Sequence, residues 1–470
     1  MLHAPASTPG VRTWRTWVTD ALAGALTAAV FYAEYIGLGA TLGATLSGRT
    51  GQALGGLMVI GAVVVSSVMA LAVRQPFVAG PRAASLAVLV AGMRFAAEHA
   101  AVQEARFSVA MAALAAMLVV SAATLLLGLL PAVQRYVRES PVALRKGFGF
   151  ATAVGIVVAL AGAQLDGCLQ ISPFLTTAIA LGSLGAALAW AHWCKSHKDN
   201  SRPWLAKLAP LSMMVGVSMA TLGYYAAIAS SARGGLCGTL GSVGLQLAQL
   251  EQLVLSPATL QMAALNLPWW VWAVLAVAGA LQGGVTLLES LTTLSDRTGP
   301  DGGTISWASQ IRLRALVNLV CAPLGLAGSS LSAARSTAMV EAHGQTRWAV
   351  FFHGATLLAI LFFCSAWIAK LPNLAVAVAL TLVAIQMIDD ETRKTVWRGG
   401  YEPQATTVSL GVTWGFWWVL ALSMLAGCVL RYFGFSFGGG PLLALVVSAA
   451  ALTLFSTHSS RAPLRHAQHK

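Results

Sequence analysis

GSSLSAARSTAMVE, from Gly328 to Glu341, is a run of small residues that carries one arginine and lies between two long apolar segments. Its first half has too few bulky side chains to face lipid, whereas its second half has the composition of a helix. If that helix begins at Ala333 or Ala334 inside the membrane, its free backbone N–H groups and Arg335 direct positive charge to one place, which predicts an anion site. Unwound backbone at membrane depth is tolerated only inside protein or beside water, so the site needs a protected pocket. The alternative is an unbroken crossing of small residues, with Arg335 extending to the membrane surface.

The composition of the chain predicts a polytopic membrane protein. Of its 470 residues, 57% are hydrophobic and only 10% are charged, which lies far outside the range of soluble domains. The net charge of +13 does not indicate a nucleic-acid partner, because the basic residues fall in short loops rather than on one solvated face. The six cysteines lack metal-binding spacing, so we expect no metal, no cofactor and no disulfide framework. A single bridge between Cys168 and Cys237 is left open.

Apolar runs of near-membrane length predict fourteen transmembrane segments. The third and the tenth are short, and each follows a lead rich in Gly, Pro or Ser, at Gln75 to Ser85 and at Leu326 to Ser336. Short, interrupted segments at matching positions of two halves are typical of transporters whose site lies between inverted repeats at the membrane midplane. The fourteen runs lie at residues 20–46, 51–73, 81–97, 106–130, 143–165, 171–193, 204–230, 268–293, 308–327, 334–342, 347–369, 372–388, 407–431 and 439–456.

The distribution of positive charge predicts the orientation and the domain organisation. If the N-terminus is cytoplasmic, most of the 29 Lys and Arg residues fall in cytoplasmic loops, as the positive-inside rule requires. Residues 1–19 lack the apolar region of a signal peptide and are interpreted as a cytoplasmic tail. We therefore expect a first repeat at 20–230, an external connector at 231–267, a second repeat at 268–458 and a basic cytoplasmic tail at 459–470.

Five motifs of the chain, in this order, resemble the SulP sulfate permease family of anion transporters. The resemblance implies two inverted repeats of seven segments, divided into a core and a gate domain. It also implies that the third and tenth segments are half-helices with the anion between their N-termini, and that the first and eighth segments close the pocket. The motifs are TDALAGALTAAV (19–30), AGPRAASLAVLV (79–90), ESPVALRKGFGFATAVGI (139–156), LLESLTTLSDRTG (287–299) and RALVNLVCAPLGLAGSSLSAARSTAMVEAHGQTR (314–347).

The chain departs from the usual pattern of that family in three places. The first segment lacks the family's Pro-Gln motif and has FYAEYIGLGATLG at 31–43 instead. Ala334 stands before Arg335, where serine is frequent in the family. The chain also ends soon after the fourteenth segment, without the family's cytoplasmic STAS domain, so a homodimer remains an open possibility rather than an implication.

The candidate anion ligands are centred on two arginines. Arg335 stays charged in a partly dry cavity and presents a planar fork to oxyanions. Arg82 follows a Gly-Pro pair at the start of the third segment, so it either joins the anion pocket or neutralises a carboxylate. Serines beside Arg335 either bind the anion or cap the helix. The full set of expected substrate-binding residues is Arg335, Ala334, Ser336, Ser332, Arg82, Ala83, Tyr32 and Glu34.

Two carboxylates lie within predicted segments and need a partner or a task, because a lone charge at membrane depth is costly. Glu289, in the eighth segment, either pairs with Arg335 in the empty state or carries a proton in symport. Otherwise it is hydrated near the inner interface. Glu34, in the first segment between Tyr32 and Tyr35, either lines the translocation path or makes a structural hydrogen bond.

These features predict a secondary transporter of a small inorganic or carboxylate anion, sulfate-like, in the inner membrane. Its partners would be the lipid bilayer and a coupling proton, sodium ion or counter-anion. Two alternatives keep the fold: a proton-coupled permease of the nucleobase type, and an uncoupled anion channel. A membrane enzyme is not expected, since the sequence has no GxSxG motif and no pair of intramembrane aspartates.

Overall fold

The computed structural model describes residues 14–46, 49–72, 76–102, 105–133, 153, 157, 162–196, 208–230, 238–240, 256–295 and 307–387. This part of the chain is mostly α-helical, as the sequence predicted. The helices are α1 (Trp14–Leu46), α2 (Arg49–Ala72), α3 (Ala83–Glu98), α4 (Arg106–Leu127), α5 (Gly162–Ile171), α6 (Pro173–Ser196), α7 (Ser212–Ser230), α8 (Pro257–Asn266), α9 (Trp269–Ser295), α10 (Trp307–Cys321), α11 (Ala333–Glu341), α12 (Arg347–Phe363), α13 (Ser365–Ile368) and α14 (Asn373–Met387). Two short strands, β1 (Ala79–Gly80) and β2 (Ser330–Leu331), precede α3 and α11.

Many of these helices have the length and composition of membrane spans. Such helices form because in lipid every backbone N–H and C=O group must be satisfied within the segment. Helix α4 is typical, with no charged residue after Arg106 and apolar side chains on every face. Five described segments are long and apolar enough to cross a membrane, and they lie at Trp14–Gly39, Arg106–Leu127, Pro173–Cys194, Ser212–Ser230 and Trp269–Leu287.

The two interrupted leads identified in the sequence are hydrogen-bonded to each other. Strands β1 and β2 pair antiparallel, with Ala79 opposite Leu331 and Gly80 opposite Ser330. The ladder continues to the backbone N–H of Ser332, which donates to the Val78 carbonyl at 3.1 Å. The extended backbone that precedes each helix therefore satisfies its polar groups inside the protein, as the interior of a membrane requires. Because α3 and α11 begin directly after this ladder, their N-terminal ends lie close together.

Two apolar clusters hold the elements around this ladder. One is formed mainly by buried side chains of α2, α3, α4, α9 and α10. The other is formed mainly by α1, α7, α12 and α14. Helix α1 packs against both α2 and α12, and α9 packs against α4. Charged side chains that lie between these elements are therefore shielded from bulk solvent and lipid.

The boundaries of some segments differ from the sequence prediction. Helix α1 begins at Trp14, inside the predicted tail 1–19, because its first turn is held by aromatic packing: the ring centroids of Trp17 and Trp348 are 4.8 Å apart. Helix α8 occupies the end of the predicted connector 231–267, with Ser256 accepting a hydrogen bond from the Thr259 N–H at 3.1 Å. The predicted segments at 407–431 and 439–456, the tail 459–470 and most of the segment at 143–165 lie outside the described residues.

Cysteine usage differs from the expectation of packed thiols in one place. Cys168, near the end of α5, is disulfide-bonded. Cys194, Cys321 and Cys364 are free, so the partner of Cys168 lies outside the described residues, as does Cys237.

Asp20 connects the first family-like motif to the last one. Its carboxylate accepts hydrogen bonds from the backbone N–H groups of Gln345 at 2.8 Å and Thr346 at 3.3 Å, and from the Thr346 hydroxyl. The Thr346 hydroxyl in turn caps α12 by accepting from the Trp348 N–H at 3.2 Å. Asp20 is 1% exposed. The start of α1 is thereby tied to the junction between α11 and α12.

We expect the Asp20→Ala variant to fold less stably than the wild type. The substitution removes the charged acceptor of three partly buried hydrogen bonds, and a hydrogen bond to a charged group contributes about 1.5–3 kcal/mol. The measurement is thermal unfolding of the detergent-purified protein. Glu98→Ala is the matched control, because Glu98 forms a partly exposed ion pair with Arg94 and its loss should change the melting temperature little. Equal melting temperatures for the two variants would contradict the proposed tie.

Candidate functional site

Four charged side chains meet where α1, α3, α9 and α11 converge. Arg82 is the N-cap residue of α3 and Arg335 lies in the first turn of α11. Glu34 comes from α1 and Glu289 from α9. All four are buried, with exposed fractions of 6% for Arg82, 0% for Arg335 and 3% for each glutamate. Two positive and two negative charges share this region, so its formal charge is balanced.

Arg335 is held by protein groups on every nitrogen of its guanidinium. Its Nε donates to Glu34 Oε2 at 3.0 Å and its Nη2 lies 2.7 Å from Glu34 Oε1, which is the bidentate geometry of a strong charge-assisted pair. Its Nη1 donates to the Tyr35 hydroxyl at 2.8 Å and its Nη2 to the Pro81 carbonyl at 2.9 Å. The guanidinium carbon also lies 4.1 Å from the centroid of the Tyr35 ring. Arg335 therefore joins α1, the lead of α3 and α11.

Glu289 interacts with the other arginine. Its Oε1 is 3.6 Å from Arg82 Nε, and its Oε2 accepts a hydrogen bond from the hydroxyl of Ser330 in β2. One role expected for Glu289 was to pair with Arg335 in the empty state. In the structure, Glu34 makes the bidentate pair with Arg335 instead. Arg82 instead neutralises the Glu289 carboxylate, one of the two roles that the sequence left open.

The serines around Arg335 bind protein groups. The Ser332 hydroxyl accepts from the Arg335 N–H at 3.2 Å and so caps α11. The Ser336 hydroxyl accepts from the Val78 N–H at 3.0 Å, which attaches α11 to the strand before α3. In the arrangement described here, capping and packing account for Ser332 and Ser336.

The N-terminus of α3 differs from that of α11 because no side chain caps it. Arg82 is extended, with φ −124° and ψ 151°, and only its carbonyl joins the helix, accepting from Leu86 N at 2.8 Å. The first N–H groups of a helix have no acceptor within the helix. Ala83 is the first residue of α3 and Ala334 the second residue of α11, so each contributes such a backbone position.

Tyr32 does not join the four charged groups. Its hydroxyl has no hydrogen-bond partner among the described residues, and its electrostatic neighbour is Cys364, at the end of α12. Tyr35, on the other side of Glu34, reaches Arg335 instead and also lies 3.5 Å from His353 Nε2. Both tyrosines flank Glu34 in the sequence, and sequence alone could not decide which one faces α11.

Gly80 is a further site residue that the sequence reasoning did not select. A Cβ added there would lie 3.0 Å from the Tyr35 hydroxyl and 3.1 Å from Arg335 Nη1. Both distances are shorter than ordinary van der Waals contacts, so an alanine here would require the Tyr35 hydroxyl and the guanidinium to move by a few tenths of an ångström. The Gly-Pro pair at the start of the third segment was the available signal. The Pro81 carbonyl was also missed, since its role is not recognisable before the two leads are paired.

Comparison of the sequence with known families agrees with the motifs. Residues 313–404, which include α11, match the model of the sulfate permease family. The predicted resemblance to that family is confirmed over this part of the chain. No curated protein matches the chain.

Solved structures with the same fold agree with this relation. The transmembrane domain of a cyanobacterium bicarbonate transporter, BicA, has a TM-score of 0.56 at 16% identity, over 93% of this chain and 98% of that one. SLC26A9 has a TM-score of 0.54 at 12% identity, over 95% of this chain and 66% of that one. Murine solute carrier 26 family member A9, an anion transporter in an inward-facing state, has a TM-score of 0.54 at 13% identity, over 97% and 74%. The likeness establishes the fold of a multi-pass membrane protein.

We expect the Glu34→Gln variant to be strongly destabilised, because it leaves the buried Arg335 charge without its counter-ion. Breaking a buried pair from one side costs about 3–5 kcal/mol. The double variant Glu34→Gln/Arg335→Gln removes both charges and should recover much of that stability. Thermal unfolding of the two single variants and the double variant forms the test. Additive losses in the double variant would mean that the two side chains do not interact.

Proposed function

We propose that this protein is a secondary active transporter of a small inorganic or carboxylate anion. The observation that carries the proposal is the buried group of two arginines at the adjoining N-termini of α3 and α11. Helix N-termini and arginines both favour negative charge, and a protected pocket in the membrane interior strengthens that preference. The relation to the sulfate permease family supports the same assignment.

We propose that α3 and α11 are the half-helices of two inverted seven-segment repeats, at 20–230 and 268–458, within a fold of fourteen spans. The anion would lie between their N-terminal ends, close to the first-turn backbone at Ala83 and Ala334 and to the two arginines. Both termini would be cytoplasmic and the membrane would be the inner membrane. Transport would proceed by alternating access, as a core domain containing α3 and α11 moves against a gate domain.

The position of Glu34 determines how an anion can reach Arg335. In the described arrangement its carboxylate occupies the Arg335 fork that an oxyanion would otherwise take. We therefore propose that the anion displaces Glu34 from Arg335 as it binds. Glu34 would then line the translocation path, as expected from the sequence, and would act as an internal competitor for the substrate.

The charge balance of the site suggests how transport is coupled. With both arginines paired to glutamates, entry of a monoanion would leave one uncompensated negative charge in a buried region, which is costly. Uptake of one proton by a glutamate would restore neutrality. We propose Glu289 as the proton carrier, because it is a buried carboxylate, 3% exposed, that lies beside Arg82 and leaves the bidentate pair of Arg335 to Glu34. Exchange against a counter-anion would satisfy the same balance, and sodium is the other candidate coupling ion.

The test of the anion site is uptake of a radiolabelled panel into proteoliposomes, comparing Gly80→Ala with Gly182→Ala. The panel contains sulfate, nitrate, bicarbonate, chloride, a small dicarboxylate and uracil. Gly80→Ala crowds Arg335 and Tyr35, so we expect uptake of the transported anion to fall about tenfold, equivalent to ~1.4 kcal/mol. Gly182→Ala is a matched control, since a Cβ there meets nothing within 4 Å.

Three outcomes of this experiment would count against the anion site. These are the absence of uptake for every anion, selective uptake of uracil, and equal rates for the two alanine variants. Uracil uptake would favour the nucleobase-type alternative. Anion flux that never accumulates against its gradient would favour an uncoupled channel.

The proton-carrier role of Glu289 is tested with an imposed pH gradient. Wild-type vesicles should accumulate the anion when the outside is acidic, whereas Glu289→Gln should transport at a rate that no longer depends on the gradient. Glu98→Gln is the control, because Glu98 is a partly exposed carboxylate at the opposite end of α3 from Arg82 and pairs with Arg94 one turn earlier. A Glu289→Gln variant with unchanged gradient dependence would exclude the role.

A further inference from the structure

Arg314, in the middle of α10, is a third buried arginine with surroundings unlike those of the other two. Its side chain is 0% exposed. Its Nη1 donates to the Ser290 hydroxyl at 3.1 Å and its Nη2 to Gln310 Oε1 at 2.9 Å. Its Nε has no hydrogen-bond partner in the described part of the chain. Among the described residues the guanidinium is therefore hydrogen-bonded only to neutral groups, and its Nε–H donor has no acceptor.

The lack of a counter-ion distinguishes Arg314 from the other two arginines. Arg82 and Arg335 each lie beside a glutamate, whereas none of the described carboxylates forms an ion pair with Arg314. A guanidinium remains protonated in proteins, so this charge cannot be removed by losing a proton under ordinary conditions. A buried charge is normally paired or bound to an ion of opposite sign. The surroundings of Arg314 are thus incomplete with respect to negative charge.

The neighbours of Arg314 form a polar strip along α10 that contacts α9 at Ser290 and α4 at Ser121. Gln310 and Asn318 lie one turn before and one turn after Arg314, so the three side chains share one face of α10. Asn318 donates to the Ser121 hydroxyl at 3.1 Å and accepts from the Ser329 N–H at 3.0 Å. The strip therefore extends from Gln310 to the backbone just before β2.

We propose that Arg314 is a second anion-binding site, specific for a small inorganic anion of about the size of chloride. The unused Nε–H donor and the uncompensated charge supply the attraction. Complete burial excludes a lipid headgroup, which needs an opening to the membrane surface. A single positive charge is balanced by one monovalent anion, whereas sulfate, with two negative charges, takes several charged or bidentate partners.

The position of Arg314 relates this site to the central one. Its partner Ser290 follows Glu289 in α9, and Asn318 binds the residue just before Ser330, the hydroxyl partner of Glu289. An anion at Arg314 would therefore contact the Ser290 side of α9 and would be separate from the Arg335 fork. The inference does not depend on which solute the central site transports.

The experiment measures stabilisation by chloride in detergent-purified protein, with sodium gluconate at equal ionic strength as the reference. The background is Glu34→Gln/Arg335→Gln, in which the Arg335 fork is removed without leaving a net charge. We expect chloride to raise the melting temperature of this background in a saturable manner. Adding Arg314→Gln should abolish the chloride-dependent shift. Adding Arg312→Gln should leave it unchanged, because Arg312 is two residues away and exposed.

A chloride shift that is absent from the background, or that persists after Arg314→Gln, would overturn the proposal. If Arg314→Gln fails to fold, the wild-type protein decides the question through crystals grown in bromide. An anomalous peak within hydrogen-bonding distance of Arg314 Nε supports the site, and a map without such a peak overturns it. If the vesicle assays show no anion uptake while chloride still raises the melting temperature in an Arg314-dependent manner, the transport proposal is refuted. The second anion site then stands.

Discussion

The ion pair between Arg335 and Glu34 is the interaction on which the centre of this molecule depends. It joins α1 to α11, and the same guanidinium binds the Pro81 carbonyl at the start of α3. A buried guanidinium is costly unless its charge and its donors are satisfied, and every nitrogen of the Arg335 guanidinium has a partner. The three elements that would enclose a substrate are therefore held at one point by one side chain. A change at that point is expected to affect stability and solute recognition together.

The second constraint is the backbone on either side of this pair. Residues before α3 and α11 are extended, and extended backbone in a membrane interior must find hydrogen-bond partners in protein. The β1–β2 ladder supplies them by pairing the two leads with each other, and the Ser332 and Ser336 hydroxyls add further bonds. The same pairing places two helix N-termini side by side. The β1–β2 pairing therefore both satisfies the hydrogen bonds of the extended backbone and creates the electropositive region.

Charge balance then connects the central site to its surroundings. Two arginines face two glutamates at the centre, whereas Arg314 faces only neutral groups across the α9–α10 contact. A balanced site favours coupled movement of an anion with a compensating charge, because any uncompensated charge is costly in a dry interior. An unbalanced site favours a resident anion. The two proposals of transport and of a second anion site both follow from this difference.

The sequence by itself determined the membrane class, the two interrupted leads and the presence of Arg82, Arg335, Glu34 and Glu289 in buried segments. Those features depend on composition and on local backbone preference, and both can be inferred from the amino-acid sequence. Only the tertiary structure decided that Glu34 rather than Glu289 pairs with Arg335, that Tyr35 rather than Tyr32 faces α11, and that Arg314 is buried without a carboxylate. Helical periodicity tells which residues share a face, but it does not tell which faces of distant helices meet. The pairing of Arg335 with Glu34, about three hundred positions apart, therefore depends on how the helices pack against each other. The sequence pattern does not reveal that packing.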